Sequence, residues 1–161
     1  MRRRNFVAGG ALAGAATLLG GEAEAADATI ARRFADALTA RNLDAFADLF
    51  ADSYVNHQTS AAAPPPPSGV TAKAATVAFF AARLKALPDL RVSIQTTVAE
   101  ADKVGASFVY EGTQEGPLYG IQPTHKRLWF TSCDIFRVAD GKIVEHWGMG
   151  DIAGVVAQMR G

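Results

Sequence analysis

The spacing of apolar residues changes near residue 89, and this change constrains the fold more than any other feature of the chain. Before it, apolar side chains recur every three or four residues. Ile30, Phe34 and Leu38 share one face of a predicted helix over 27–40, and Leu43, Phe46, Leu49 and Phe50 follow Asn42, a good N-cap. Val77, Phe80, Leu84 and Leu87 mark a third helix that Pro88 terminates. From Leu90 the period becomes two, with Leu90, Val92, Ile94 and Val98 on one face and Arg91, Ser93, Gln95 and Thr97 on the other. A helical half followed by a strand half predicts an α+β domain, its helices packed on one face of a sheet.

Turn chemistry divides the second half into strands. Asp102-Lys103 leads into a strand over 104–113, and an irregular Gly/Pro stretch over 115–124 separates it from a strand over 126–138. Ala139-Asp140-Gly141 closes a hairpin onto a strand over 143–149, and 151–159 forms a last helix or a tail across the sheet. In the first half, 53–57 reads as a brief extended segment, and Pro64 to Pro67 as a polyproline-like loop. The expected shape is a cone of three helices on a curled antiparallel meander.

Residues 1–25 stand apart from this plan. Three arginines at 2–4 precede an uncharged Gly/Ala-rich stretch over 6–21, and Ala23-Glu24-Ala25 offers small residues for cleavage. Arg3-Arg4-Asn5-Phe6-Val7 resembles a twin-arginine export signal, so a periplasmic or secreted location is expected. The stretch is too short and too rich in glycine to make a stable membrane span. The domain proper is then 26–161. With 16 basic against 16 acidic side chains and no Lys/Arg block, the chain lacks the electrostatic footprint of a nucleic-acid binder. Its one cysteine, Cys133, excludes an internal disulfide and a Cys-based zinc site.

His57, Gly112-Thr113, Tyr119-Gly120-Ile121-Gln122-Pro123-Thr124 and above all the block from Asp134 to Trp147, with Asp151 downstream, resemble the SnoaL-like polyketide cyclase and ester cyclase family. That family belongs to the nuclear-transport-factor-2-like superfamily. The resemblance runs from Ile30 to Gln158 and implies the superfamily's cystatin-like cone. It also implies ring closure by intramolecular aldol condensation without metal or organic cofactor, with Asp134 at the position of the acid/base aspartate. Relatives often carry a histidine directly after Gly-Thr; this chain has Gln114 there.

Alternation along the strand leads to the same aspartate. Leu128, Phe130, Ser132, Asp134, Phe136 and Val138 fall on one face, and Trp129, Thr131, Cys133, Ile135 and Arg137 on the other. A carboxyl among phenyl rings is disfavoured in its ionised form, and such a group can take and return protons near neutrality. The competing reading is a structural aspartate satisfied by a buried donor.

The place of His146 depends on the hairpin. A three-residue Ala-Asp-Gly turn puts it opposite Asp134, whereas a two-residue Asp-Gly turn puts Trp147 there, as a pocket wall, and turns His146 outward. The Ala-Asp-Gly sequence favours the first. His57, at the cone rim, either hydrogen-bonds a substrate oxygen or ties down the proline-rich loop. Phe108, Tyr110 and Gln114 alternate along the preceding strand and line the cavity if that face points inward, and His125 is expected in solvent.

His57, His146 and Asp134 could make a two-His-one-carboxylate set, but no local ligand spacing supports a metal, and no phosphate loop or nucleophile turn is present. Two function classes follow. One is a cofactor-free lyase, isomerase or cyclase acting on a small apolar carbonyl compound, with Asp134, His146 and His57 catalytic and Tyr110, Gln114, Phe130, Phe136 and Trp147 binding substrate. The other is a binding domain that uses the same cone without chemistry. Trp129, Cys133 and Ile135, pointing out of the cone, suggest a homodimer through the sheet face.

Overall fold

A computed structural model describes the backbone of residues 19–58 and 64–161, with side chains from Thr29 onward. The segment over 1–25, expected to be an export signal, lies outside the described residues except from Leu19 on, where the first helix begins. In chain order the elements are α1 (Leu19–Thr39), α2 (Leu43–Ala47), β1 (Phe50–Asn56), α3 (Ala72–Ala86), β2 (Arg91–Glu100), β3 (Lys103–Thr113), β4 (Arg127–Ala139), β5 (Lys142–Gly150) and α4 (Ile152–Arg160). Helices α2, α3 and α4 begin where the sequence places polar N-caps. Asn42 Oδ1 accepts from Ala45 N at 2.9 Å, Thr71 Oγ1 from Ala74 N at 3.1 Å, and Asp151 Oδ1 from Gly154 N at 2.8 Å. Arg41 donates to the carbonyls of Leu84, Leu87 and Pro88, satisfying the last turn of α3 that Pro88 cannot continue.

The five strands form one open sheet in the order β1-β5-β4-β3-β2. Strands β2 to β5 are the expected antiparallel meander, but β1 joins β5 in parallel, so the sheet is mixed rather than wholly antiparallel. The long excursion from β1 through α3 and three strands lets the chain return beside β1 in the same direction, which no hairpin could do.

Helix α1 lies in the concave face. Phe34 packs against Phe46, Phe80, Phe108 and Phe136 with ring centroids 5.2 to 5.5 Å apart. All five rings are buried, and truncating one such ring typically costs about 3–5 kcal/mol. The core gathers at this end of the cone and leaves the other end hollow.

Two bulges correct the predicted strand faces. In β2, Ile94 pairs with Phe108 but Thr96 with Ser107, so Gln95 is an extra residue. The alternation reverses beyond it, and Val98, predicted inward, stands exposed on the outer face. In β5, Ile143 pairs with Val138 but Glu145 with Arg137, so Val144 is extra. This second bulge decides the position of His146.

Candidate active site

The β4–β5 hairpin takes neither predicted register. Asp140 and Gly141 both have positive φ, 50° and 70°, and Ala139 pairs with Lys142, as in a two-residue primed turn. That turn alone would send His146 outward. The Val144 bulge shifts β5 by one more residue, so His146 pairs with Phe136, Gly148 pairs with Asp134, and both His146 and Asp134 face the cavity. The two groups therefore meet diagonally across the ladder rather than directly opposite, with His146 Nε2 2.8 Å from Asp134 Oδ1. They are 7% and 6% exposed.

Gly148 makes this contact possible. A Cβ there would lie 2.3 Å from Asp134 Oδ1 and 2.6 Å from His146 Nε2, inside the space the two side chains share. The other carboxylate oxygen, Oδ2, accepts from Ser132 Oγ at 2.5 Å. On the far side of the imidazole, Nδ1 lies 3.1 Å from Asn56 Oδ1.

The hydrogen bonds assign the protons. The backbone N–H of Gln58, an obligatory donor, points at Asn56 Oδ1 from 3.0 Å, so the amide presents its oxygen there. That oxygen can only accept from His146, and Nδ1 therefore carries a hydrogen. A single proton then lies between Nε2 and Asp134 Oδ1. It sits on the carboxyl with neutral imidazole, or on the imidazole with carboxylate. Such a pair can receive a proton and return it while every other partner stays bonded.

The pair opens on a cavity of about 330 Å³, within the range of small-molecule sites. Tyr110 and Phe130, stacked at 5.0 Å and 3°, form one wall; Phe79 and Phe80 of α3 form another, and Pro64 to Pro67 a third. Burial raises the Tyr110 phenol above its ordinary range, the negative charge of Asp134 adds to this, and Arg83 opposes it. Arg83, on α3, lines the same cavity.

Asp134, His146, Tyr110 and Phe130 thus come together as predicted, and four other residues do not line the cavity. Phe136 lies beneath His146, its ring 5.4 Å away, and is core. Gln114 is fully buried but spent on the 115–124 loop: Nε2 donates to the carbonyls of Gly116, Ile121 and Gln122, and Oε1 accepts from Thr124 N and Oγ1. His57 and Trp147 lie on the outer face of the sheet, stacked on each other at 4.5 Å, because Asn56 and His146 are the neighbours that turn inward. His57 Nε2 meets Glu145 Oε2 at 2.7 Å, and Arg137 binds the same carboxylate, so His57 and Arg137 hold the Glu145 carboxyl below its usual range. With His57 behind the sheet, the two-His-one-carboxylate set does not assemble. His125 is exposed and paired with Glu115, as expected of a loop histidine.

Asn56, Ser132, Gly148 and Arg83 were not singled out from the sequence. Alternation along β1 from buried Tyr54 points Asn56 inward, and Ser132 sits two residues from Asp134 on one face. Arg83 follows Phe79 and Phe80 at four and three residues, the spacing of one helix face. Nothing in the sequence marks Gly148, because its role exists only once the bulge sets the register.

The chain matches the family model of the SnoaL-like polyketide cyclases over residues 28–159. No curated protein matches it. Among solved structures it is similar to IdmH from Streptomyces antibioticus, a proposed polyketide cyclase, at 25% identity and a TM-score of 0.72, covering 84% of this chain and 99% of that one. TsrD from Streptomyces laurentii is similar at 23% identity and a TM-score of 0.72, over 84% and 95% of the two chains. A protein of ketosteroid isomerase-like fold from Catenulispora acidiphila, solved with trimethylamine, aligns at 21% identity and a TM-score of 0.63, over 81% and 92%. These likenesses bear out the expected fold, a cystatin-like cone of the nuclear-transport-factor-2-like class.

Proposed function

This chain belongs to the SnoaL-like polyketide cyclase family, and on that premise we propose that it is a cofactor-free acid/base enzyme acting on the acidic C–H beside a carbonyl in a small, largely apolar, cyclic substrate. The observation that carries the reading is the Asp134–His146 pair, joined at 2.8 Å, almost wholly buried, and lining an aromatic cavity. As carboxylate, Asp134 removes the proton from the α-carbon. His146, doubly protonated at that moment, keeps its bond to Asn56 and its charge beside the developing enolate. In an aldol closure the enolate carbon then bonds to a second carbonyl carbon, and the proton taken up by Asp134 passes to the new alkoxide oxygen. Atoms and charge balance without a further reagent.

Hydrogen exchange tests this without knowledge of the natural substrate. In D2O, the protein is expected to speed deuterium incorporation at the α-carbons of 2-tetralone, a bicyclic aromatic ketone, well above the buffer rate, followed by loss of the proton NMR signal. A rate equal to that of buffer, together with saturable binding of the ketone, would favour the binding-domain alternative.

The outer face of the sheet supports a second part of the proposal. Trp129 and Ile135 are 52% and 43% exposed there, with Met149 and Val98 also exposed, and an isologous dimer through this face would cover them. Sedimentation is expected to show a dimer at micromolar concentration. A monomer throughout would remove this part and leave the cavity chemistry untouched.

A further inference from the structure

Arg83 presents a problem that the acid/base reading does not solve. It is 7% exposed and has no carboxylate partner among the described residues. Of its five N–H groups, one is hydrogen-bonded among the described residues, from Nη2 to Tyr119 Oη at 2.7 Å, and Nε is buried without a partner. Four rings surround the guanidinium carbon: Phe79, Phe80, Tyr110 and Phe130 at 4.7 to 5.3 Å. Cation–π contact offsets part of the desolvation of a buried cation, but it leaves the positive charge uncompensated and most donors unused. Residues with that combination and no internal counter-charge fit an anion supplied from outside. All four rings and Arg83 line the one cavity that also holds Asp134 and His146.

We propose that Arg83 is the anchor for an anionic group of the ligand, so that the substrate carries a carboxylate on its aromatic or alicyclic ring system in addition to the reacting carbonyl. The carboxylate docks on the planar guanidinium, whose fork matches its two oxygens. The ring system lies between Tyr110–Phe130 and the α3 phenylalanines, and the reacting C–H faces Asp134. The charge at Arg83 then orients the substrate, and because Asp134 is negative when it acts as base, the anionic end is kept away from it. The proposal rests on the preceding reading only in taking the cavity as the ligand site.

Its test is a binding comparison that involves no turnover. 2-Naphthoate and 2-naphthamide share a ring system and differ in charge at one end. Titrated into the full-length protein by calorimetry, the acid is expected to bind about tenfold or more tightly than the amide, the preference a charge-assisted hydrogen bond confers. Arg83→Gln is expected to abolish that preference and Arg83→Lys to retain part of it. Equal affinities on the wild-type protein, no naphthoate binding at millimolar concentration, or a preference unchanged in Arg83→Gln would each overturn the proposal. If Arg83→Gln does not fold, the wild-type comparison and Arg83→Lys decide it. Loss of this preference would leave any α-exchange of 2-tetralone standing, so the two readings fail separately.

Discussion

Asp134→Asn is expected to lower the α-exchange rate by about 10²–10⁴-fold, the usual loss when positioned acid/base catalysis is removed, while the protein stays folded. The structure explains why the two effects separate. His146 Nδ1 keeps its hydrogen on Asn56, so Nε2 of the neutral ring is a free acceptor. The new amide can donate its Nδ2–H to that nitrogen and accept from Ser132 Oγ with its oxygen, so each partner of the carboxyl is still satisfied. Only the transferable proton is gone. Stability by chemical denaturation is expected to stay within about 1 kcal/mol of wild type. A purely structural aspartate gives the opposite pattern: stability falls by about 1–3 kcal/mol as buried partners lose their bonds, and exchange is unchanged.

Gly148→Ala is the second large effect, and it substitutes neither member of the Asp134–His146 pair. The added methyl would fall 2.3 Å from Asp134 Oδ1 and 2.6 Å from His146 Nε2, far inside contact distance. Both polar tips are nearly buried, so neither has room to retreat without losing Ser132 or Asn56. Displacement of this order is expected to cost about 10²-fold in exchange rate. Overpacking should also lower stability by about 1–3 kcal/mol. Gly150→Ala is the control, since its added methyl meets nothing closer than 3.8 Å. Wild-type exchange in Gly148→Ala would mean that the close contact of the pair is irrelevant to the reaction.

Much of the fold was legible because apolar spacing reports the element directly. Phe34 and Phe80 on helical faces and Phe108 and Phe136 on alternating strand positions all entered the core as the sequence implied. Asp134 was legible for the same reason, since parity along an unbulged β4 places it with Phe130 and Phe136. What the sequence hid was the count of residues between pairing positions. A bulge adds one residue and reverses every face beyond it, yet Gln95 and Val144 carry no composition that marks them. Hence Val98 was placed on the wrong face, and neither register considered for His146 allowed for the bulge: the two-residue turn falls one residue short of the observed pairing and the three-residue turn two. His57 and Asn56 show the same sensitivity. Histidine is the more conspicuous residue, but alternation from Tyr54 gives the inward position to its neighbour. Gln114 was read as a substrate contact because alternation along the strand points it inward; it is indeed buried, one residue past the end of β3, but its amide is consumed by the following loop.

The proposed chemistry turns on where one proton sits. The bond from Gln58 N to Asn56 Oδ1 requires His146 Nδ1 to be protonated and leaves a single hydrogen between Nε2 and Asp134. Nitrogen NMR of protein labelled at histidine, with His146 identified by comparison with His146→Gln, reads this directly. The expected spectrum shows Nδ1 of His146 as a protonated nitrogen coupled to its own hydrogen, and an Nε2 signal that changes in Asp134→Asn while Nδ1 stays protonated. An unprotonated Nδ1, with the hydrogen held on Nε2 and no response to Asp134→Asn, would contradict the shared proton and the acid/base role built on it.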